Sequence, residues 1–202
     1  MQFIKYLKTR KQYLFLILFF LPLFCNKARQ NLKKQDFTKF NLTFTTGYVF
    51  KHDDDFFKER FKNGIQNIIT VDGCYYFLPA IGIGSKVSYW ATKSHGTFLN
   101  NPAKLQEVPL TFYLRTIFYS WKNLQLYTSL GGGAIFLAEK NYQEAIKTSK
   151  GIGEFELGLN IFLGRYFDIS GAFRYLFPRE TFNNQKADIG GFDLRAGIGL
   201  SY

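Results

Sequence analysis

The sequence predicts an all-β chain, an eight-stranded antiparallel up-and-down transmembrane β-barrel. Three observations lead there. Apolar and polar residues alternate with period two in eight segments of about eleven residues, long polar connections alternate with tight ones, and no stretch sustains the i, i+3, i+4, i+7 spacing of a helix. The composition agrees. With 47% hydrophobic and 19% aromatic residues, the 202-residue chain is too apolar for disorder, and its two cysteines exclude a disulfide-built scaffold. A single short apolar run excludes a helical membrane bundle.

The first element is a targeting segment. Lys5, Lys8, Arg10 and Lys11 precede twelve residues, Tyr13 to Phe24, that are apolar throughout. That length suits a signal-peptide core and falls short of the roughly 20 residues a spanning helix needs. Residues 1–28 are read as the signal peptide, with Cys25 as a weaker candidate for lipidation, and 29–40 as a linker. Loss of the leader leaves Cys74 without an intramolecular partner. Residues 1–40 hold nine Lys and Arg against one acid, Asp36, so they carry +8 of the net +11. The basic excess therefore belongs to the leader and linker, and the barrel, 41–202, needs no nucleic-acid partner.

The strands follow in order at 41–50, 67–77, 81–91, 108–119, 124–137, 152–163, 167–177 and 190–202. Each has one apolar face. It carries Leu42, Phe44 and Tyr48 in the first, then Ile69, Val71, Tyr75 and Phe77, then Ile83, Val87 and Tyr89, then Phe112, Leu114 and Phe118. The later strands continue it with Leu126, Leu130 and Phe136, with Leu157, Leu159 and Ile161, with Ile169 and Phe173, and with Leu194, Ile198 and Leu200. The opposite face carries Asp72, Lys86, Arg115, Glu154, Glu156, Asp168, Arg174, Asp193 and Arg195 among many glycines. Charges of both signs beside glycine suit a narrow, crowded interior, since glycine on a solvated exterior only weakens a strand. The nine charges are read as an internal salt-bridge network that closes the lumen, because buried charges persist only when paired. A narrow pore lined by the same residues is the alternative.

Long connections (51–66, 92–107, 138–151, 178–189) leave one end of such a barrel. Tight links at Leu78-Pro79-Ala80, Ser120 to Asn123 and Gly164-Arg165-Tyr166 leave the other. Eleven residues tilted by about 40° cover roughly 28 Å, close to the roughly 25 Å apolar band of an outer-membrane barrel. Aromatic residues gather near segment ends, with Tyr48, Phe50, Tyr89, Tyr175 and Phe177 at the outer rim and Phe77, Phe118, Phe167 and Tyr202 at the inner.

The closing segment, Arg195-Ala196-Gly197-Ile198-Gly199-Leu200-Ser201-Tyr202, resembles the C-terminal β-signal of bacterial outer-membrane proteins, with Arg195, Gly197, Leu200 and Tyr202 at its defining positions. With the leader and eight segments, residues 41–202 resemble the small porin-like barrels of the OmpA, OmpW and opacity-protein type. The resemblance implies location in the bacterial outer membrane, contact with outer-membrane lipid, and recognition by the barrel-assembly machinery. It implies no shared activity.

No residue set demands a metal or cofactor. His52-Asp53-Asp54-Asp55 reads as a solvated loop, and His95 stands alone in the next long loop. Gly131-Gly132-Gly133 lacks the Lys-Ser/Thr of a phosphate loop, and Gly82-Ile83-Gly84-Ser85-Lys86 has no following helix. The expected function is non-enzymatic: a barrel scaffold whose surface loops serve adhesion, ligand contact or envelope integrity. A small-solute channel, a lipid-modifying enzyme, and a secreted lipocalin-like barrel with its apolar face inward are the alternatives.

Overall fold

The computed structural model describes residues 39–51, 65–93, 104–140, 145–178 and 190–202. The signal peptide, the linker except Lys39 and Phe40, Cys25, His52 to Asp55 and His95 lie outside the described residues. The alternating segments form β1 (Phe40–Lys51), β2 (Ile65–Leu78), β3 (Ile81–Lys93) and β4 (Lys104–Trp121), then β5 (Leu124–Lys140), β6 (Ala145–Phe162), β7 (Phe167–Pro178) and β8 (Gly191–Ser201). Each strand pairs antiparallel with its neighbour in sequence, and β1 pairs with β8, so the sheet closes without an edge. The seam runs from Asn41 opposite Ser201 to Lys51 opposite Gly191.

Three tight turns join strands at one end. Lys122 accepts a positive φ of 49° in the two-residue turn between β4 and β5, and Gly164 supplies one of 135° between β6 and β7. The four other connections leave the opposite end; three are long, but the loop read at 138–151 is mostly strand, because β5–β6 pairing runs on to Lys140 opposite Ala145 and leaves only 141–144 between them.

β4, β5 and β6 outrun the alternation that predicts them. Pairing continues to Lys104 opposite Lys140 and Lys140 opposite Ala145, although the apolar pattern stops near Val108, Leu137 and Ile152. Beyond that level the outward positions are polar, among them Gln106, Lys147 and Ser149, so periodicity loses sight of a strand whose backbone ladder persists. At the other end of β4 a register shift between Ile117 and Tyr119 switches the parity. Ile117 is buried, Phe118 half-buried and Tyr119 exposed, so the outward facing read for Phe118 passes to Tyr119 and Trp121.

The apolar face is the exterior. Ile69, Phe112, Leu130 and Ile198 are each more than 60% exposed, whereas Glu154, Glu156, Arg174 and Asp193 are completely buried. A soluble barrel with the apolar face inward is therefore excluded by the facing of every strand. Stacked Phe50 and Phe192, with centroids 4.8 Å apart, and edge-on Tyr175 and Phe177, at 4.6 Å, continue the apolar surface toward the loop end.

The inward face is not uniformly polar. Near the turns, Cys74, Tyr76, Ala80, Tyr113, Ile117 and Tyr127 pack into one buried cluster. Near the loop end, Val49, Ile68, Trp90, Ile135, Leu137, Ile152 and Leu176 form another. Inward glycines make room for the larger rings: a Cβ on Gly84 would collide with Tyr113, its register partner, and one on Gly158 with Tyr127.

Candidate functional site

Between the two apolar clusters lies a layer of charge. Period-two facing places Asp72 (β2), Lys86 (β3), Arg115 (β4), Glu154 and Glu156 (β6), Arg174 (β7), and Asp193 and Arg195 (β8) on the inner wall, all buried. Lys86 Nζ reaches Glu156 at 2.6 Å and Glu154 at 3.1 Å. Glu154 in turn pairs with Arg174 at 3.6 Å, Arg174 with Asp193 at 2.7 Å, and Asp193 with Arg195 at 2.7 Å. Arg195 closes back onto Glu156. The six side chains form a ring of alternating sign across the lumen.

A branch leaves the ring at Glu156, which also meets Arg115 at 3.3 Å, and Arg115 pairs with Asp72 at 2.7 Å. Four cations and four anions make the layer neutral. Neutral donors complete it: Thr111 donates to Glu154 at 2.9 Å, the Tyr113 hydroxyl donates to Asp72, and Arg115 Nε donates to Ser129 at 3.1 Å. The Arg115 guanidinium lies 4.0 Å from the centroid of the Tyr127 ring and 4.8 Å from that of Tyr113. The lower aromatic cluster thus stabilises the cation that faces it.

Asp168, the ninth charge singled out by facing, stands apart. It is buried at the turn end, accepts from Asn41 and Ser201 at 2.8 Å each, and has no ion pair among the described residues. It ties β7 to the β1–β8 seam. Sequence reading passed over a second ion pair, Lys51 to Glu107 at 2.6 Å, which lies beside the upper cluster with Lys51 4.9 Å from the Trp90 ring centroid. The available signal was parity, since Glu107 shares the inward phase of Leu105, Thr111 and Arg115 across β4. The assembly-signal residues lie on β8 and just past it. Arg195 is in the ring, Gly197 faces β1 across the seam, Leu200 points outward, and Tyr202 is exposed.

Chemically, the arrangement suits structure better than turnover. Every charge in the layer faces an opposite charge, and among the described residues no group of His, Cys, Asp and Glu is placed to hold a metal ion. Gly131 and Gly133 sit within β5 opposite Tyr113 and Thr111, and Gly82 and Gly84 within β3 opposite Arg115 and Tyr113, so neither run forms a phosphate-binding turn.

No protein-family model matches the chain, and no curated protein matches its sequence. Solved structures do. Neisserial surface protein A superposes with a TM-score of 0.58 at 10% identity, covering 81% of this chain and 96% of that one. Ail, the attachment invasion locus protein of Yersinia pestis, superposes at 0.50 with 14% identity, covering 82% and 97%. In complex with the heparin analogue sucrose octasulfate, Ail gives 0.52 at 13% identity. What is shared at these identities is the fold, the closed eight-stranded barrel of small outer-membrane proteins.

Proposed function

We propose that this chain is a non-enzymatic integral protein of the bacterial outer membrane, a sealed barrel that presents its long connections at the surface for adhesion, ligand contact or envelope integrity. The observation that carries this reading is the inversion of ordinary burial: apolar side chains ring the outside while neutralised charge fills the inside. A lipid environment stabilises the first, and a lumen too narrow for bulk water stabilises the second. The long connections all leave one end, and the strands they join belong to one closed eight-stranded sheet, as a display scaffold requires. Ail, named as an attachment protein, uses the same barrel architecture, which supports a surface-contact role here.

Cell fractionation with gel mobility tests the reading. The chain should sediment with the outer membrane and, once extracted, should change apparent mass only when boiled. Recovery as a soluble periplasmic protein with no heat-dependent mobility would overturn it.

A further inference from the structure

On the outer wall at the loop end, β3 to β6 form a patch with two levels. The lower level is apolar: Tyr89, Val108 and Phe136 lie side by side, with Val108 opposite Phe136 and Phe136 opposite Ser149. Together with Gln106, Ala138 and Lys147 they line an open groove of about 520 Å³ continuous with the exterior belt. The upper level is basic. Lys104 begins β4 on the outward phase of Gln106 and Val108, and Lys147, exposed on β6, stands opposite Ala138.

Neither Lys104 nor Lys147 makes an ion pair among the described residues, which leaves both cations open to an anion from elsewhere. We infer that this patch is a binding site for a membrane lipid with an anionic phosphate headgroup, its acyl chain in the Tyr89–Val108–Phe136 groove and its phosphate against Lys104 and Lys147. Gln106 donates to the Tyr89 hydroxyl at 2.9 Å, which leaves that hydroxyl's own hydrogen free to donate to a headgroup oxygen at the boundary between the levels. A soluble anion would have no use for an acyl-sized groove directly beneath the charge. The order found, groove within the belt and lysines at its rim, matches a lipid seated in a leaflet.

The inference rests on the membrane reading proposed above, and the test separates the two. The full chain, folded in micelles containing equal phosphatidylglycerol and phosphatidylcholine, is examined by native mass spectrometry for retained lipid. Phosphatidylglycerol should be retained in preference. Each of Lys104→Gln and Lys147→Gln should lower that preference about fivefold, the worth of one lysine near a charged surface. Lys39→Gln, at the opposite end, should leave it unchanged. Inorganic phosphate should strip the lipid no better than chloride at equal ionic strength. A chain that folds and shows heat-modifiable mobility, yet retains both lipids equally or responds equally to all three substitutions, overturns this inference and leaves the barrel reading intact. Displacement specific to inorganic phosphate would assign the lysines to a soluble anion and overturn it as well. Failure to fold in these micelles would sink the barrel reading first.

Discussion

Glu156 on β6 and Lys86 on β3 meet across the lumen at 2.6 Å, and the same carboxylate also faces Arg195 and Arg115. Glu156 is thus the hub where the ring and its branch join. Glu156→Gln would leave three buried cations short of one anion. The expected cost is about 3–5 kcal/mol, measured as the denaturant midpoint of the folded, heat-modifiable band. Replacing Arg115 and Asp72 together by apolar residues of similar size should cost less than Arg115→Ala alone, because no charge is stranded. Equal costs for the single and the double change would contradict a pairing role for that branch.

The exterior belt has depth. Leu157 and Ser149 lie on the same outward face of β6, Leu157 within the belt and Ser149 beside the polar rim. Arg at 157 should destabilise the folded barrel by about 2–4 kcal/mol in lipid, and Arg at 149 by no more than about 1 kcal/mol. Unfolding titrations in vesicles distinguish them. Similar costs at both depths would mean that lipid does not cover the belt.

Gly158 and Tyr127 are register partners, and the ring occupies the space a Cβ would need. Gly158→Ala should cost about 1–3 kcal/mol by overpacking. In the Tyr127→Ala background the same change should cost much less, a coupling of about 0.5–3 kcal/mol in a double-mutant cycle. Additive effects would show that the ring does not fill that space.

How much of this was legible beforehand follows from what each signal measures. Period two located all eight strands because every one crosses a boundary between an apolar outside and a polar inside, and it placed Leu157 and Arg174 on opposite faces. It could not see past Val108 or Ile152, where the outward positions turn polar while pairing continues. It also could not see the bulge at Ile117, whose effect is a parity switch set by the β4–β5 register. For the site, facing alone brought out the charged residues. Their partners depend on strand stagger: Asp72 lies beside Lys86 in register, yet Lys86 turns to Glu154 and Glu156 across the lumen. The inward aromatics Trp90, Tyr113 and Tyr127 were hidden by the assumption that an inner face is polar throughout, although their parity matches the charges.

The closing strand offers a test of assembly. Gly197 lies opposite Thr45 at the β1–β8 seam, and a Cβ there would run into the Phe44 carbonyl oxygen. Gly197→Val should obstruct closure, and deletion of Tyr202 should remove the aromatic residue expected to be recognised by the assembly machinery. Each should lower the outer-membrane level of the chain several-fold more than substitutions at Lys147 or Ser149. Comparable levels for all variants, judged by fractionation and heat-modifiable mobility, would remove the assembly role assigned to Arg195, Gly197, Leu200 and Tyr202.

Conduction is the sharpest test of the sealed lumen. An ion entering from the loop end would first meet Val49, Ile68, Trp90 and Leu176, then a neutral ring with no uncompensated charge to offer it, then Tyr113, Ile117 and Tyr127. Apolar layers of this kind exclude water, and a paired charge layer between them gives an ion no net replacement for its hydration shell. The unmodified barrel in a planar bilayer should therefore show little steady conductance. Arg115→Ala removes the guanidinium held between Tyr113 and Tyr127 and leaves Asp72 without its cation, so it should destabilise the barrel by about 3–5 kcal/mol and open transient, cation-favouring events. Large, reproducible, ion-selective steps from the unmodified protein would overturn the sealed lumen and assign the same eight charges to a pore.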